Sequence, residues 1–282
     1  MNKKQLIFIG AAVVLVAALY LFGDFRGPVK KAPDQAGMRP NSEEHDHESD
    51  TTSLDIKSYE TQCIARLDAN KQSQVRDFMG AAEKLNKPES YRDLAEFWEK
   101  QKDLNLAAFY YKRGAFLENT EKSVTFAGNL FLAILQRTDK PDFRRWQARE
   151  AIEIFNKALE INPSNLDSKI ALATCYTEGT GETMKGVTLL REVTQQDSNN
   201  VSANIILGKL AIQSGQLDKA IRRLEHVLMI EPKNTEAMYF LAEAYKNQGN
   251  KAKAIELFEN CKRIVNSPDF SKEIDNYIAT FK

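Results

Sequence analysis

The 282-residue sequence offers little for chemistry: three cysteines, three histidines and no surplus of either charge. Cys63, Cys175 and Cys261 are odd in number, widely spaced and free of any CxxC pair, which excludes a disulfide framework and a zinc site. They read as buried free thiols. Basic and acidic side chains number 39 each, so the net charge is zero. Phosphate binding needs a cationic excess, so nucleic acid is not expected as a partner. No GxGxxG, Walker loop or GxSxG occurs. The sequence therefore predicts no enzyme, no cofactor, no metal centre and no small-molecule substrate. His45-Asp46-His47-Glu48 is read as a solvated patch rather than a metal site, and Glu89 and Asp93 as acids on a wet helix face. Arg144, Arg145 and Arg149 flank Trp146. That arrangement could stack RNA bases, but with zero net charge it reads better as a basic surface on a long helix.

What the sequence does have is one long apolar run and a strict periodicity. Leu6 to Gly23 is 18 residues without a charge. As a helix it would reach roughly 27 Å, about the hydrocarbon thickness of a bilayer. A cleaved signal peptide competes, with Val16-Ala17-Ala18 as its site, but the apolar Leu19-Tyr20-Leu21-Phe22 beyond favours a continuing span. Lys3 and Lys4 precede the run while Arg26, Lys30 and Lys31 follow it, so charge counting alone hardly orients it. A short tail carrying two lysines is hard to translocate. The expectation is a single-pass inner (cytoplasmic) membrane protein, N-terminus inside and the bulk of the chain extracytoplasmic. Residues 24–53, rich in Pro, Gly, Ser and acids, read as a disordered linker.

Beyond the linker the spacing is helical throughout. Val201 to Asn234 and Thr235 to Pro268 align without a gap at 34 residues. Each has alanine third (Ala203, Ala237), leucine seventh (Leu207, Leu241), glycine fifteenth (Gly215, Gly249) and alanine twentieth (Ala220, Ala254). Leu224 and Phe258 share the twenty-fourth place. Two helices joined at a glycine, with small residues where they approach and large ones filling the seam, form a hairpin that cannot bury its apolar face alone. Such hairpins stack. Leu166 to Asn200 is a third copy once one residue is inserted near Gly179-Thr180-Gly181-Glu182. Asn165, Asn200 and Asn234 each stand where a new helix needs its N-cap. Pro88 to Glu121 fits the frame. Lys122 to Asn165 fits with a turn at Thr138-Asp139-Lys140-Pro141 and a lengthened second helix begun by Pro141. Leu54 to Leu85 is one long helix or a degenerate repeat.

These positions resemble the tetratricopeptide repeat family, and the MNKK start with a single span resembles an anchored bacterial member. The resemblance implies an all-α superhelix of helix hairpins. The expected organisation is residues 1–5 as a tail, 6–23 as a transmembrane anchor, 24–53 as linker and 54–87 as an N-terminal helical segment. Repeats then run over 88–268 (88–121, 122–165, 166–200, 201–234 and 235–268), and 269–282 form a capping helix. In the family, ligands lie along the first helices, touching positions 2, 5, 9 and 12. Carried onto this chain these include Ile170, Thr174 and Thr177, then Ile205, Lys209 and Ile212, then Tyr239, Glu243 and Lys246. Ile205, Ile212 and Tyr239 are expected to be exposed for an apolar or helical segment. The lysine and asparagine clamp of chaperone-binding members is absent. The implied role is a protein or peptide partner bound in a groove, with residues 6–23 in the lipid bilayer. It would be chaperone-like in secretion or cytochrome c maturation. The alternatives are a structural scaffold of an envelope complex and a cytoplasmic-face RNA or enzyme adaptor.

Overall fold

The computed structural model describes residues 54–281, and every regular element among them is a helix. The expected anchor at 6–23 and linker at 24–53 lie outside the described residues. Among the described residues no helix is long and apolar enough to cross a membrane. These residues fall into two compact units, one up to Ala203 and one from Asn204 onward.

In the first unit, α1 (Ile56–Ala65) and α2 (Ala69–Leu85) replace the single long helix that the sequence left open. Asp68 breaks the run and caps α2 by accepting from the Lys71 amide at 2.9 Å. Two hairpins follow, α3 (Pro88–Lys100) with α4 (Leu104–Glu118), and α5 (Glu121–Leu135) with α6 (Pro141–Ile161). Pro88 and Pro141 each open a helix, where a missing N–H costs nothing. Tyr91, Leu94, Ala95 and Trp98 recur at three- and four-residue spacing on α3 and bury against Leu106, Ala107 and Tyr110 of α4. A second core gathers Phe131, Trp146, Ile154 and Phe155, with Phe131 and Trp146 edge to face at 5.3 Å. Trp146 is therefore a core side chain and offers no face to a nucleobase, which removes the stacking half of the RNA reading.

The third pair is α7 (Leu166–Thr174) and α8 (Thr183–Gln196), with a single π turn, Cys175–Thr180, continuing α7. The π turn is where the one inserted residue goes. Its hydrogen bonds span five residues instead of four, so the helix takes up an extra residue without losing its axis.

The second unit contains the rest of α9 (Val201–Gln213), then α10 (Leu217–Ile230), α11 (Thr235–Asn247), α12 (Lys251–Val265) and the terminal α13 (Pro268–Ala279). The turns before α10 and α12 pass through Gly215 and Gly249 at φ 72° and 88°, a region that side chains resist. A Cβ on Gly208 would stand 2.9 Å from Leu224 Cγ, so α9 and α10 cross where a side chain is missing. Asn165, Asn200 and Asn234 accept from the Ser168, Ala203 and Ala237 amides at 2.8, 3.0 and 2.9 Å, the caps read from the sequence. On α13, Phe270, Ile274 and Ile278 turn inward.

In the first unit one acid is out of place by its burial. Glu60 of α1 lies inside the first unit, accepting from the Tyr110 hydroxyl at 2.5 Å. Burial pushes its pKa above the ordinary 4.5, against the opposing pull of that hydrogen bond and of Arg113. A raised native pKa gives stability that is full below the unfolded value and lost as pH rises through the native one.

Three outcomes follow for urea unfolding. Glu60→Gln, which keeps the acceptor, should raise the midpoint at pH 7 and leave it nearly unchanged at pH 4. An equal effect at both pH values would contradict the assigned burial. Gly80→Ala on α2, with nothing within 4 Å of the new methyl, should stabilise by about 0.5–1 kcal/mol. Gly179→Ala, whose methyl would stand 2.4 Å from the Ala148 Cβ, should destabilise by about 1–3 kcal/mol.

Candidate functional site

The groove positions inherited from the repeat pattern are mostly not available. Ile205, Ile212 and Tyr239 are only 5%, 8% and 4% exposed, which corrects the expectation that they face a ligand. The cause is composition. VSANIILGKLAIQ of α9 carries apolar residues on more than one face, and a helix of that kind buries more than one side, here with Ile205 and Ile212 among the buried residues. On α11 each residue from Ala237 to Tyr245 is buried. Tyr239 packs its ring edge against Phe240 and Phe258 at 5.7 and 5.3 Å, so it builds the second unit's core.

Glu243, 2% exposed, receives the Lys246 ammonium at 2.9 Å. Lys246 also donates to the Tyr277 hydroxyl and sits 4.5 Å from that ring's centroid, so the terminal helix occupies this end of the surface. Lys209 lies over the Phe240 ring at 5.9 Å. Thr174 is buried with its hydroxyl on the Ile170 carbonyl, and Thr177, half-buried, bonds the Thr174 carbonyl. Ile170, Thr177, Lys209 and Lys246 keep partial exposure.

A concavity lies elsewhere, wholly within the first unit. A cleft of about 640 Å³ runs along α6, lined by Arg145, Arg149, Ile152, Glu153 and Asn156. Its far wall is Tyr176 and Thr180 of the π turn, with Glu182 and Lys185 at the start of α8. The α6 residues recur at three- and four-residue spacing, so a single face of one helix forms the floor. From residue 145 to 156 that face extends roughly 16 Å at 1.5 Å per residue.

Three contacts set the walls. Arg144 donates to the carbonyls of Leu135, Thr138 and Glu178 at 3.2, 3.1 and 2.8 Å, tying the end of α5 and the following turn to the π turn. Its role is thus to satisfy helix-end carbonyls, not to present a basic surface. Gly179 lets the π turn seat directly on Ala148 of α6. Lys112 of α4, largely buried, donates to Glu150 and Glu153 at 2.6 and 2.5 Å, which fixes Glu153 at the cleft edge.

Electrostatically the cleft alternates. Lys185 pairs with Glu182 and stands 5.3 Å from the Tyr176 ring centroid, and Arg145 pairs with Asp142 at 3.1 Å. Ile152 and Tyr176 supply apolar area between these pairs. No group here has a nucleophile–base geometry, and among the described residues no three His, Cys, Asp or Glu side chains could hold a metal. Such a surface can recognise, through apolar contact flanked by charges of both signs.

From the sequence, Arg145 and Arg149 read only as part of a basic helix surface. The signal that unites the cleft residues is the inserted residue near Gly179, because π turns gather at functional sites.

Comparison with known proteins agrees with the helical hairpins. Tetratricopeptide repeat models match residues 211–260 and 147–165. A tetratricopeptide repeat protein from Parabacteroides merdae ATCC 43184 superposes with a TM-score of 0.51 at 19% identity, over 68% of this chain and 73% of that one. MamA from Desulfovibrio magneticus RS-1 does so with a TM-score of 0.50 at 18% identity, over 64% and 97%. Among curated proteins, the BBSome complex member BBS4 of Xenopus tropicalis is 28% identical over 92 residues. That match spans 32% of this chain and 17% of the relative's length. The described residues are thus all-helical, and segments 147–165 and 211–260 among them match tetratricopeptide repeat models.

Proposed function

We propose that the chain is a protein-interaction module that takes a segment of a partner protein in the cleft along α6. Residues 6–23 would hold it at a bilayer. The observation that carries this reading is the cleft itself, a face of α6 opposed by a π turn with Ile152 and Tyr176 between charged walls. It suits an amphipathic segment carrying charges of both signs around an apolar anchor. The tether rests on the uncharged run from Leu6 to Gly23. Of the inherited groove positions, Ile170, Thr177, Lys209 and Lys246 stand as secondary contacts, while Thr174, Ile205, Ile212, Tyr239 and Glu243 support the fold.

The test is a photo-crosslinking residue placed at Asn156 in the full-length chain in cells, with and without Arg149→Glu and Tyr176→Ala. The expected result is one or more defined adducts at Asn156 that fall at least about tenfold with either change, since interface anchors cost about 2 kcal/mol or more when removed. Adducts unchanged by both substitutions would place recognition outside the cleft. Carbonate extraction of membranes checks the tether: the intact chain should stay with the pellet, and a chain lacking residues 6–23 should be released.

A further inference from the structure

A second cavity opens on the opposite side of α6. Two residues along a helix turn the side chain by about 200°, so Gln147 points away from Arg145 and Arg149. It lines a pocket of about 240 Å³ together with Tyr59, Lys102, Asp103, Asn105, Arg137 and others. All of these belong to the first unit.

Gln147 is unusual. It is 1% exposed, its amide nitrogen donates to Asn105 Oδ1 at 2.7 Å, and its Oε1 is buried with no hydrogen-bond partner. A buried amide oxygen without a donor costs about 1–3 kcal/mol, so a native structure that keeps one invites a ligand N–H or O–H. At the rim stand Lys102 and Arg137, both exposed, and neither forms an ion pair among the described residues. Lys102 is held at φ 63°, an uncommon conformation for a side-chain-bearing residue.

The one acid in the pocket is already committed. Asp103 accepts from the Tyr59 hydroxyl at 2.8 Å, the Cys63 thiol at 3.5 Å and the Leu106 amide at 3.0 Å. Leu104, largely exposed, and Ile134 add apolar wall. The pocket thus combines two unpaired cations with a buried acceptor.

We infer that this pocket is a binding site for a carboxylate borne on a peptide unit, the carboxylate between Lys102 and Arg137 and the adjacent amide N–H donated to Gln147 Oε1. Two sources share that chemistry, the C-terminus of a chain and an internal acidic residue. The site is separate from the α6 cleft and stands or falls without it.

The experiment follows the Gln147 side-chain amide by NMR in the full-length, detergent-solubilised protein, its signal identified by its loss in Gln147→Met. N-acetylglycine represents a chain terminus, N-acetylaspartic acid α-amide an internal acid, and N-acetylglycinamide the neutral control. At least one carboxylate probe should shift the signal saturably, and the one that binds more tightly identifies the source. The control should bind about tenfold more weakly or not at all. Lys102→Gly, which suits the backbone there, combined with Arg137→Met should weaken binding about fivefold, as expected for two rim cations. Failure of both carboxylate probes to move the signal, or equal binding of the neutral amide, would overturn the proposal.

Discussion

Helices in this protein come together where side chains are missing, and the rest of the structure depends on that contact. Gly128 sits under the Phe155 ring, with its absent Cβ only 2.8 Å from the ring atoms, and Gly208 does the same beneath Leu224. At such crossings the partner's large side chain fills the volume a methyl would have taken, and interior packing density leaves no slack for one. Close approach brings the flanking apolar rows into register. Short capped connections then fix which helix follows which. A hairpin made this way still has one bare face, so the next must stack on it, and stability accrues hairpin by hairpin.

The strict period in the last third of the sequence comes from that constraint, which is why it was legible without a structure. Gly215 and Gly249 sit at positive φ, and Ala203 and Ala237 are fully buried where little room is left. The asparagine caps and Pro141 were equally readable, because each answers a local need for hydrogen bonds or for a φ value. The groove was not. Positions 5, 9 and 12 of a first helix face a ligand only if nothing else covers them, and coverage is a tertiary property. The apolar majority of α9 was visible in its letters and argued for burial of Ile205 and Ile212. The placing of Tyr277 over Lys246 could not be read from spacing at all.

The cleft along α6 shows the converse. A single extra residue near Gly179 looked like a flaw in the repeat, yet it becomes a π turn clasped by Arg144 and seated on Ala148. That local departure puts Tyr176 opposite Ile152. Here the regular pattern serves folding, and this irregularity shapes the surface offered to a partner. The thiols fit the same division. Cys175 and Cys261 are fully buried with burial pushing both up to about 12, so they serve as small apolar fillers.

The central claim, that recognition belongs to the α6 cleft, is tested most directly by hydrogen–deuterium exchange on the full-length chain, free and joined to the partner captured at Asn156. Slowed exchange concentrated in residues 141–156 and 175–186 is the predicted footprint. Slowing confined to α9 through α13, with those two segments unchanged, would contradict it.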